Sequence, residues 1–162
     1  NVLIWGRNPE KAQRLAKRMT RRDFRVDWTD DLEEAARGAH IISCATLSKE
    51  PLIRGEWLQP GQHIDLVGAF RPEMRETDDS AMQRARVFVD TRAGATKEAG
   101  DIVQPLQSGV LTPERILADL YELTRGERAG RRAADEITLF KSVGAALEDL
   151  AAGVAVYEAT AR

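Results

Sequence analysis

Hydrophobic and polar positions fall in short alternating blocks. Val2-Leu3-Ile4-Trp5 is an apolar run of strand length, broken by Gly6-Arg7-Asn8-Pro9. Asn8 suits a helix N-cap and Pro9 the first helical turn, after which Ala12, Leu15, Ala16 and Met19 recur at helical spacing over 10–19. Phe24, Val26 and Trp28 alternate with polar residues and predict a second strand over 24–28. Asp30 or Asp31 caps a helix over 32–37 that Gly38 ends. Residues 40–45 read as a third strand, apolar on both faces, 64–67 as a fourth and 87–89 as a fifth, with a helix over 74–85. Short strands of this kind, alternating with amphipathic helices, predict a parallel sheet covered on both sides, a Rossmann-like, doubly wound α/β fold.

The second half changes character. Lys97-Glu98-Ala99-Gly100-Asp101 reads as loop, and Thr112-Pro113-Glu114 as the start of a helix over 116–124 that stops near Gly126. Residues 126–134 are basic and read as exposed; 137–140 reads as a short strand leading into a long helix from about 142 to 157. The expected division is a Rossmann-like domain over 1–110 and a C-terminal helical segment over 111–162. A dinucleotide fold needs a glycine-rich turn after its first strand, so that backbone N–H groups can reach the pyrophosphate. The chain has 12 glycines and no Gly-x-Gly. Either it is not a dinucleotide domain or it opens at the second strand; we favour a Rossmann-like sheet lacking its first strand.

Composition narrows the function. With 43% hydrophobic and 31% charged residues, the chain of 162 residues has the make-up of a globular domain rather than a disordered one. A net charge of −2 provides no positive field for nucleic acid. No apolar run reaches the roughly 20 residues of a membrane span, and no basic leader precedes the opening strand, so a cytoplasmic protein without a membrane partner is expected. A single cysteine, Cys44, and two histidines, His40 and His63, make a poor zinc set, and no metal is expected. Cys44 reads as buried and inert, and His63 as structural. Arginine outnumbers lysine 19 to 5, which suits carboxylate or phosphate recognition but is read first as solvated surface.

Candidate chemistry lies at the strand ends. After the second strand of a dinucleotide fold, a carboxylate selects NAD and an arginine accommodates the 2′-phosphate of NADP. This turn offers Arg7 and Asn8, with no carboxylate before Glu10, so the two are candidate contacts for NADP(H), with Lys11 and Arg14 adding charge; the competing reading is a helix-capping turn. Thr46 follows the third strand and Gly68 the fourth, where open α/β sheets bind ligands; simple turn residues are the alternative. Ser142 sits at a strand-to-helix junction, where it could cap the long helix and leave N–H groups facing a ligand.

Together these segments resemble the ornithine cyclodeaminase/mu-crystallin family along nearly the whole chain. The resemblance rests on Ile4-Trp5-Gly6-Arg7-Asn8-Pro9, Glu50-Pro51 with Gly55-Glu56-Trp57, Pro60-Gly61-Gln62-His63-Ile64 and Val67-Gly68-Ala69-Phe70-Arg71-Pro72-Glu73-Met74-Arg75-Glu76. It continues through Val89-Asp90, Lys97-Glu98-Ala99-Gly100-Asp101, and Thr138-Leu139-Phe140-Lys141-Ser142-Val143-Gly144 with Glu148-Asp149. It implies a homodimer of two-domain chains about twice this length. The final helices return to a substrate domain, and the N-terminal part, absent here, carries most of that domain, the dimer surface, the glycine-rich loop and the substrate-clamping Arg and Lys. A chain without them is expected to be inactive alone.

The resemblance further implies the chemistry. Cyclodeaminases use an aspartate just after the Val-Gly turn as acid and base; here that position is Phe70, which cannot transfer a proton. The segment looks more like the ketimine reductases, which reduce Δ1-pyrroline-2-carboxylate or Δ1-piperideine-2-carboxylate to cyclic amino acids and have imine or amino-acid substrates. On this reading NADP(H) is preferred and NAD(H) possible. Arg7 and Asn8 meet the 2′-phosphate; Thr46 and Ser142 meet the cofactor; Leu66, Val67 and Gly68 line the nicotinamide side. Phe70 and Arg71 face the substrate, and Glu98 is a weaker candidate for its rim, the alternative being a surface carboxylate paired with Lys97 or Arg92. The other activities open to the family are ornithine cyclodeaminase, alanine dehydrogenase and mu-crystallin-like small-ligand binding.

Overall fold

The computed structural model of the protein describes residues 1–21 and 23–160. The chain forms two compact units, Asn1–Ala39 and His40–Arg162.

In the first unit, β1 (Val2–Trp5) runs parallel to β2 (Val26–Thr29), with Val2 opposite Val26 and Trp5 opposite Thr29. The crossover is α1 (Pro9–Met19), which buries Ala12 and Ala16. Its start is as expected: the Asn8 side chain accepts the Lys11 N–H at 3.0 Å. α2 (Leu32–Gly38) is capped by Asp31, which accepts the Glu34 N–H at 2.8 Å. Two expectations shift. The second strand begins at Val26, not at 24, because the Thr20 hydroxyl donates to the Val26 carbonyl and accepts the Val26 N–H, folding Arg21 back onto Phe24 in an antiparallel bridge. Gly38 lies inside the last turn of α2, and the backbone of Ala39 closes it.

In the second unit five strands form one sheet: β3 (Ile41–Cys44), β4 (His63–Leu66), β5 (Arg86–Val89), β6 (Ile116–Asp119) and β7 (Thr138–Lys141). Their order is β3-β4-β7-β5-β6 and every pairing is parallel. The α/β class with parallel strands is therefore the one read from the pattern. Ile64, Leu66, Val87, Val89 and Leu139 are fully buried in the sheet interior. The edge strand β3 is covered on one face only: Ile42 and Cys44 are buried, whereas Ile41 is 67% exposed. The helices are α3 (Asp79–Arg84), α4 (Arg92–Glu98), α5 (Gly100–Ser108), α6 (Leu120–Thr124) and α7 (Ala146–Thr160).

The second unit departs from the sequence pattern in several places. Residues 97–101, expected as loop, join the end of α4 to the start of α5. At Gly100, where α5 begins, a Cβ would lie 1.8 Å from the Met74 carbonyl oxygen. The helix expected over 74–85 forms only from Asp79, because the Asp101 carboxylate captures the N–H groups of Glu76 and Thr77. Residues 116–119, expected as helix, form β6 beside β5; only Pro113–Arg115 makes a short 3-10 turn. Within the segment 111–162, expected as helical, β6 and β7 both lie in the sheet.

The long helix α7 starts at Ala146, four residues later than expected, and buries none of its side chains. Leu147, Leu150, Val154, Val156 and Tyr157 are all exposed; at helical spacing four of them share one side, with Val156 opposite. Among the described residues, no helix is long and apolar enough to cross a membrane.

Candidate functional site

Parallel strands end on one edge, so β3, β4, β7 and β5 bring Thr46, Val67-Gly68, Ser142 and Asp90 to the same rim of the second unit. The turn after β4 is pinned tightly. The N–H groups of Val67 and Gly68 donate to the Cys44 carbonyl at 2.8 and 3.3 Å, and that of Ala69 to the Thr46 carbonyl at 3.2 Å. A Cβ on Gly68 would sit 2.2 Å from the Thr46 carbonyl oxygen and 2.4 Å from its nitrogen, so glycine alone fits. Ala69 next to it has a φ of 46°, a left-handed conformation costing an L-residue about 1–2 kcal/mol. Full burial of its methyl group and the Gly100 N–H, which donates to its carbonyl at 3.1 Å, hold it there.

The side chains expected at the rim divide. Val67 is 49% and Phe70 42% exposed beside the turn, and the Arg71 guanidinium lies 5.7 Å from the Phe70 ring centre. Leu66 is 0% exposed; its side chain belongs to the core and only its carbonyl, which accepts the Ser142 N–H at 3.0 Å, reaches the rim. The Thr46 hydroxyl is half-buried and accepts the Ser48 N–H at 3.2 Å. Glu98 ends α4 on an exposed position, and Arg92 pairs not with it but with Glu122 at 2.8 Å.

Ser142 does not cap the long helix. Its hydroxyl lies 3.1 Å from Asp90 Oδ2, which also accepts the N–H groups of Val143 and Gly144 at 2.7 and 2.9 Å. The amides expected to face a ligand are therefore claimed by Asp90, a buried carboxylate that the spacing of the sequence does not single out.

Three more charged groups lie under the rim; each falls in a segment that carries the family resemblance, but none was given a site role from the sequence. Glu76, Asp101 and Lys141 are each 0% exposed. Glu76 Oε1 accepts the Thr46 N–H at 2.6 Å, Lys141 donates to the Gly68 carbonyl, and Lys141 Nζ lies 3.6 Å from Asp101 Oδ2. Burial pushes the Glu76 carboxyl above its ordinary range and the Lys141 ammonium below its own, the nearby carboxylates partly restoring the latter. The signal available was Lys141 itself, a charge closing the apolar run Leu139-Phe140. Cys44 is buried as expected; desolvation, then Glu76 and Asp101, raise its thiol to about 12. His63 begins β4, at the edge opposite the rim, with Nδ1 2.8 Å from the Thr138 hydroxyl; burial lowers its pKa. Among the described residues, no cluster of His, Cys, Asp or Glu could hold a metal ion.

In the first unit, an open hollow of about 260 Å³ lies at the end of β1, lined by Trp5, Arg7, Asn8, Lys11 and Leu15 among others. Two cationic side chains and no carboxylate line it among the described residues, a balance suited to a phosphate. Asn8 Oδ1 is engaged in capping α1, which leaves Arg7 and Lys11 as the charged groups for such a ligand.

A cationic hollow after the first strand and a glycine-tight rim on a parallel sheet are features of dinucleotide-binding α/β proteins. The model of the ornithine cyclodeaminase/mu-crystallin family matches residues 1–162, and the chain belongs to that family. It is 42% identical over 149 residues to the Delta(1)-pyrroline-2-carboxylate reductase of Paracoccus denitrificans, covering 92% of this chain and 47% of that protein. It is 38% identical over 157 residues to the ketimine reductase mu-crystallin of Macropus fuliginosus, covering 97% of this chain and 46% of that one. The structure of Thermococcus litoralis Delta(1)-pyrroline-2-carboxylate reductase in complex with NADH and L-proline superposes with a TM-score of 0.91 at 34% identity, over 96% of this chain and 49% of that one. The chain thus spans about half the length of the relatives it matches.

Proposed function

We propose that the protein carrying this chain reduces cyclic ketimine carboxylates, of the Δ1-pyrroline-2-carboxylate or Δ1-piperideine-2-carboxylate type, with a nicotinamide cofactor. The observation that carries the reading is Phe70: the exposed side chain beside the Val67-Gly68 turn is a phenyl ring with Arg71 against it, not an acid or a base. The carboxyl and ammonium groups nearest the turn, Glu76, Asp101 and Lys141, are buried beneath it. A protonated imine needs no further proton donor to become electrophilic, so positioning and electrostatics suffice at such a site. The names of the relatives support the same reaction class.

The reduced nicotinamide, when bound, supplies the hydride. The chain's part is to hold and to shape. Gly68, with no side chain, lets the turn after β4 close against the Thr46 backbone, and Val67 offers an apolar flank beside a flat ring. Thr46 presents its half-buried hydroxyl to the same rim. Ser142, fixed by Asp90, holds the turn after β7. Phe70 and Arg71 present an apolar face and a cation of the kind that would receive an imine carboxylate. Arg7, with Asn8 and Lys11 beside it, would take a 2′-phosphate, so we place NADP(H) ahead of NAD(H). We further place the protein in the cytoplasm as a homodimer, on the family resemblance.

The test is steady-state turnover by the whole protein. NADPH consumption with either cyclic imine is expected. Ammonia release from ornithine without net cofactor consumption, and no imine reduction, would replace this reading by the cyclodeaminase one.

A further inference from the structure

The fold buries three charged side chains where apolar ones would cost less. Glu76 comes from the loop before α3, Asp101 from the first turn of α5 and Lys141 from the end of β7, and all three are fully buried. Isolated charges are expensive to desolvate, and buried ion pairs seldom beat well-packed apolar replacements, so stability alone does not account for the set.

The bonds of the cluster lead to the rim. Asp101 Oδ1 accepts the N–H groups of Glu76 and Thr77, both at 2.9 Å, and the Thr77 hydroxyl at 3.1 Å. This fixes the backbone that presents the Glu76 carboxylate, whose Oε1 then holds the Thr46 N–H. Asp101 Oδ2 has no hydrogen-bond partner and faces Lys141 Nζ across 3.6 Å, which leaves the ammonium to donate to the Gly68 carbonyl. The two outputs are one amide and one carbonyl, on the adjacent ends of β3 and β4. A single carboxylate oxygen and the Thr46 backbone also fill the space a Gly68 Cβ would need, so the turn cannot move toward the cluster.

We propose that Lys141, Asp101 and Glu76 are positioning residues that lock the Thr46–Gly68 rim in the geometry required to hold the nicotinamide ring. The inference rests on the reductase reading above and adds to it the parts that act through backbone without touching cofactor. The raised Glu76 carboxyl and lowered Lys141 ammonium are the electrostatic trace of the same confinement.

The test uses the whole protein and four variants, Lys141→Met, Lys141→Arg, Glu76→Met and Glu76→Gln. Three readouts are taken: affinity for NADH and NADPH, KM for the imine apart from kcat, and hydrogen exchange of the Thr46 amide. Lys141→Met and Glu76→Met are expected to weaken cofactor binding at least about tenfold with the imine KM changed less than about twofold. Glu76→Met should speed exchange at Thr46, while Glu76→Gln, which keeps the acceptor, and Lys141→Arg, which keeps the charge, should restore part of the loss. Should the methionine variants fail to fold, the two conservative variants decide on the same readouts, with intermediate losses expected. Folded variants that match the wild type in cofactor affinity and Thr46 exchange overturn the inference while leaving the reductase reading intact. A wild-type protein that binds neither NADH nor NADPH overturns both.

Discussion

Asp101→Asn removes one charge while keeping most of the hydrogen bonds. The amide retains an Oδ1 that can accept from Glu76 N, Thr77 N and Thr77 Oγ1, so the local fold of residues 76–77 should persist. What disappears is the carboxylate 3.6 Å from Lys141 Nζ, inside a site with no solvent exposure. Breaking a buried pair costs about 3–5 kcal/mol because the remaining charge is uncompensated. An independent ceiling comes from Lys141 itself, which can shed its proton. Neutralising a lysine of ordinary pKa costs roughly 4.6 kcal/mol at pH 7 and roughly 2 kcal/mol at pH 9. The two figures agree, with Glu76 placing the outcome toward the lower end. The sign of the pH dependence follows. Burial already holds the folded Lys141 pKa below its unfolded value, and losing Asp101 lowers it further. The unfolded chain then binds more protons than the folded one, so the variant gains stability as pH rises toward the unfolded pKa. Urea denaturation of the whole protein at pH 7 and pH 9, wild type beside variant, measures this. A deficit below about 1 kcal/mol at pH 7, or one that widens at pH 9, would refute the account of the buried pair.

Three other outcomes are expected. Arg7→Ala should weaken NADPH binding by roughly 10–100-fold, the worth of a charge-assisted hydrogen bond, and leave NADH nearly unchanged; equal losses for both would remove Arg7 from the 2′-phosphate. Gly68→Ala forces a methyl group into the Thr46 backbone at 2.2 Å and should destabilise by about 1–3 kcal/mol or more while impairing cofactor binding, read by thermal melts and calorimetry. Cys44, with its thiol raised to about 12, should resist an aromatic disulfide reagent at pH 8 in the folded protein and react at once in denaturant; rapid labelling of the native protein would contradict its burial.

Local signals carried the first unit. Asn8 and Asp31 cap helices within three residues of their partners, and the strand-helix-strand pattern around them is decided by neighbours in sequence. The second unit depends on distant partners. Ile116, Leu117, Leu120 and Leu123 fit a helical spacing after Thr112-Pro113-Glu114, yet the first two lie in β6 because β5 is there to pair with. The need for glycine at position 100 comes only from the Met74 carbonyl packed against it. The rim was legible in Thr46, Gly68 and Phe70, since strand ends can be read from pattern. Its support was not: Asp101 meets Glu76 and Thr77 across 25 and 24 residues, and Lys141 meets Gly68 across 73. The burial of the Leu66 side chain and the bond from Ser142 to Asp90 likewise depend on partners distant in sequence.

The middle of the five-stranded sheet is filled by the strand that is synthesised last. Until Thr138–Lys141 leaves the ribosome, β4 and β5 have no strand between them and each keeps an open hydrogen-bonding edge. Closure must therefore wait for almost the whole unit to be made, a non-local step that is slow by nature and exposes sticky edges meanwhile. That late strand also brings in Lys141, so one arrival both completes the sheet and sets an ammonium group against the buried Asp101 carboxylate.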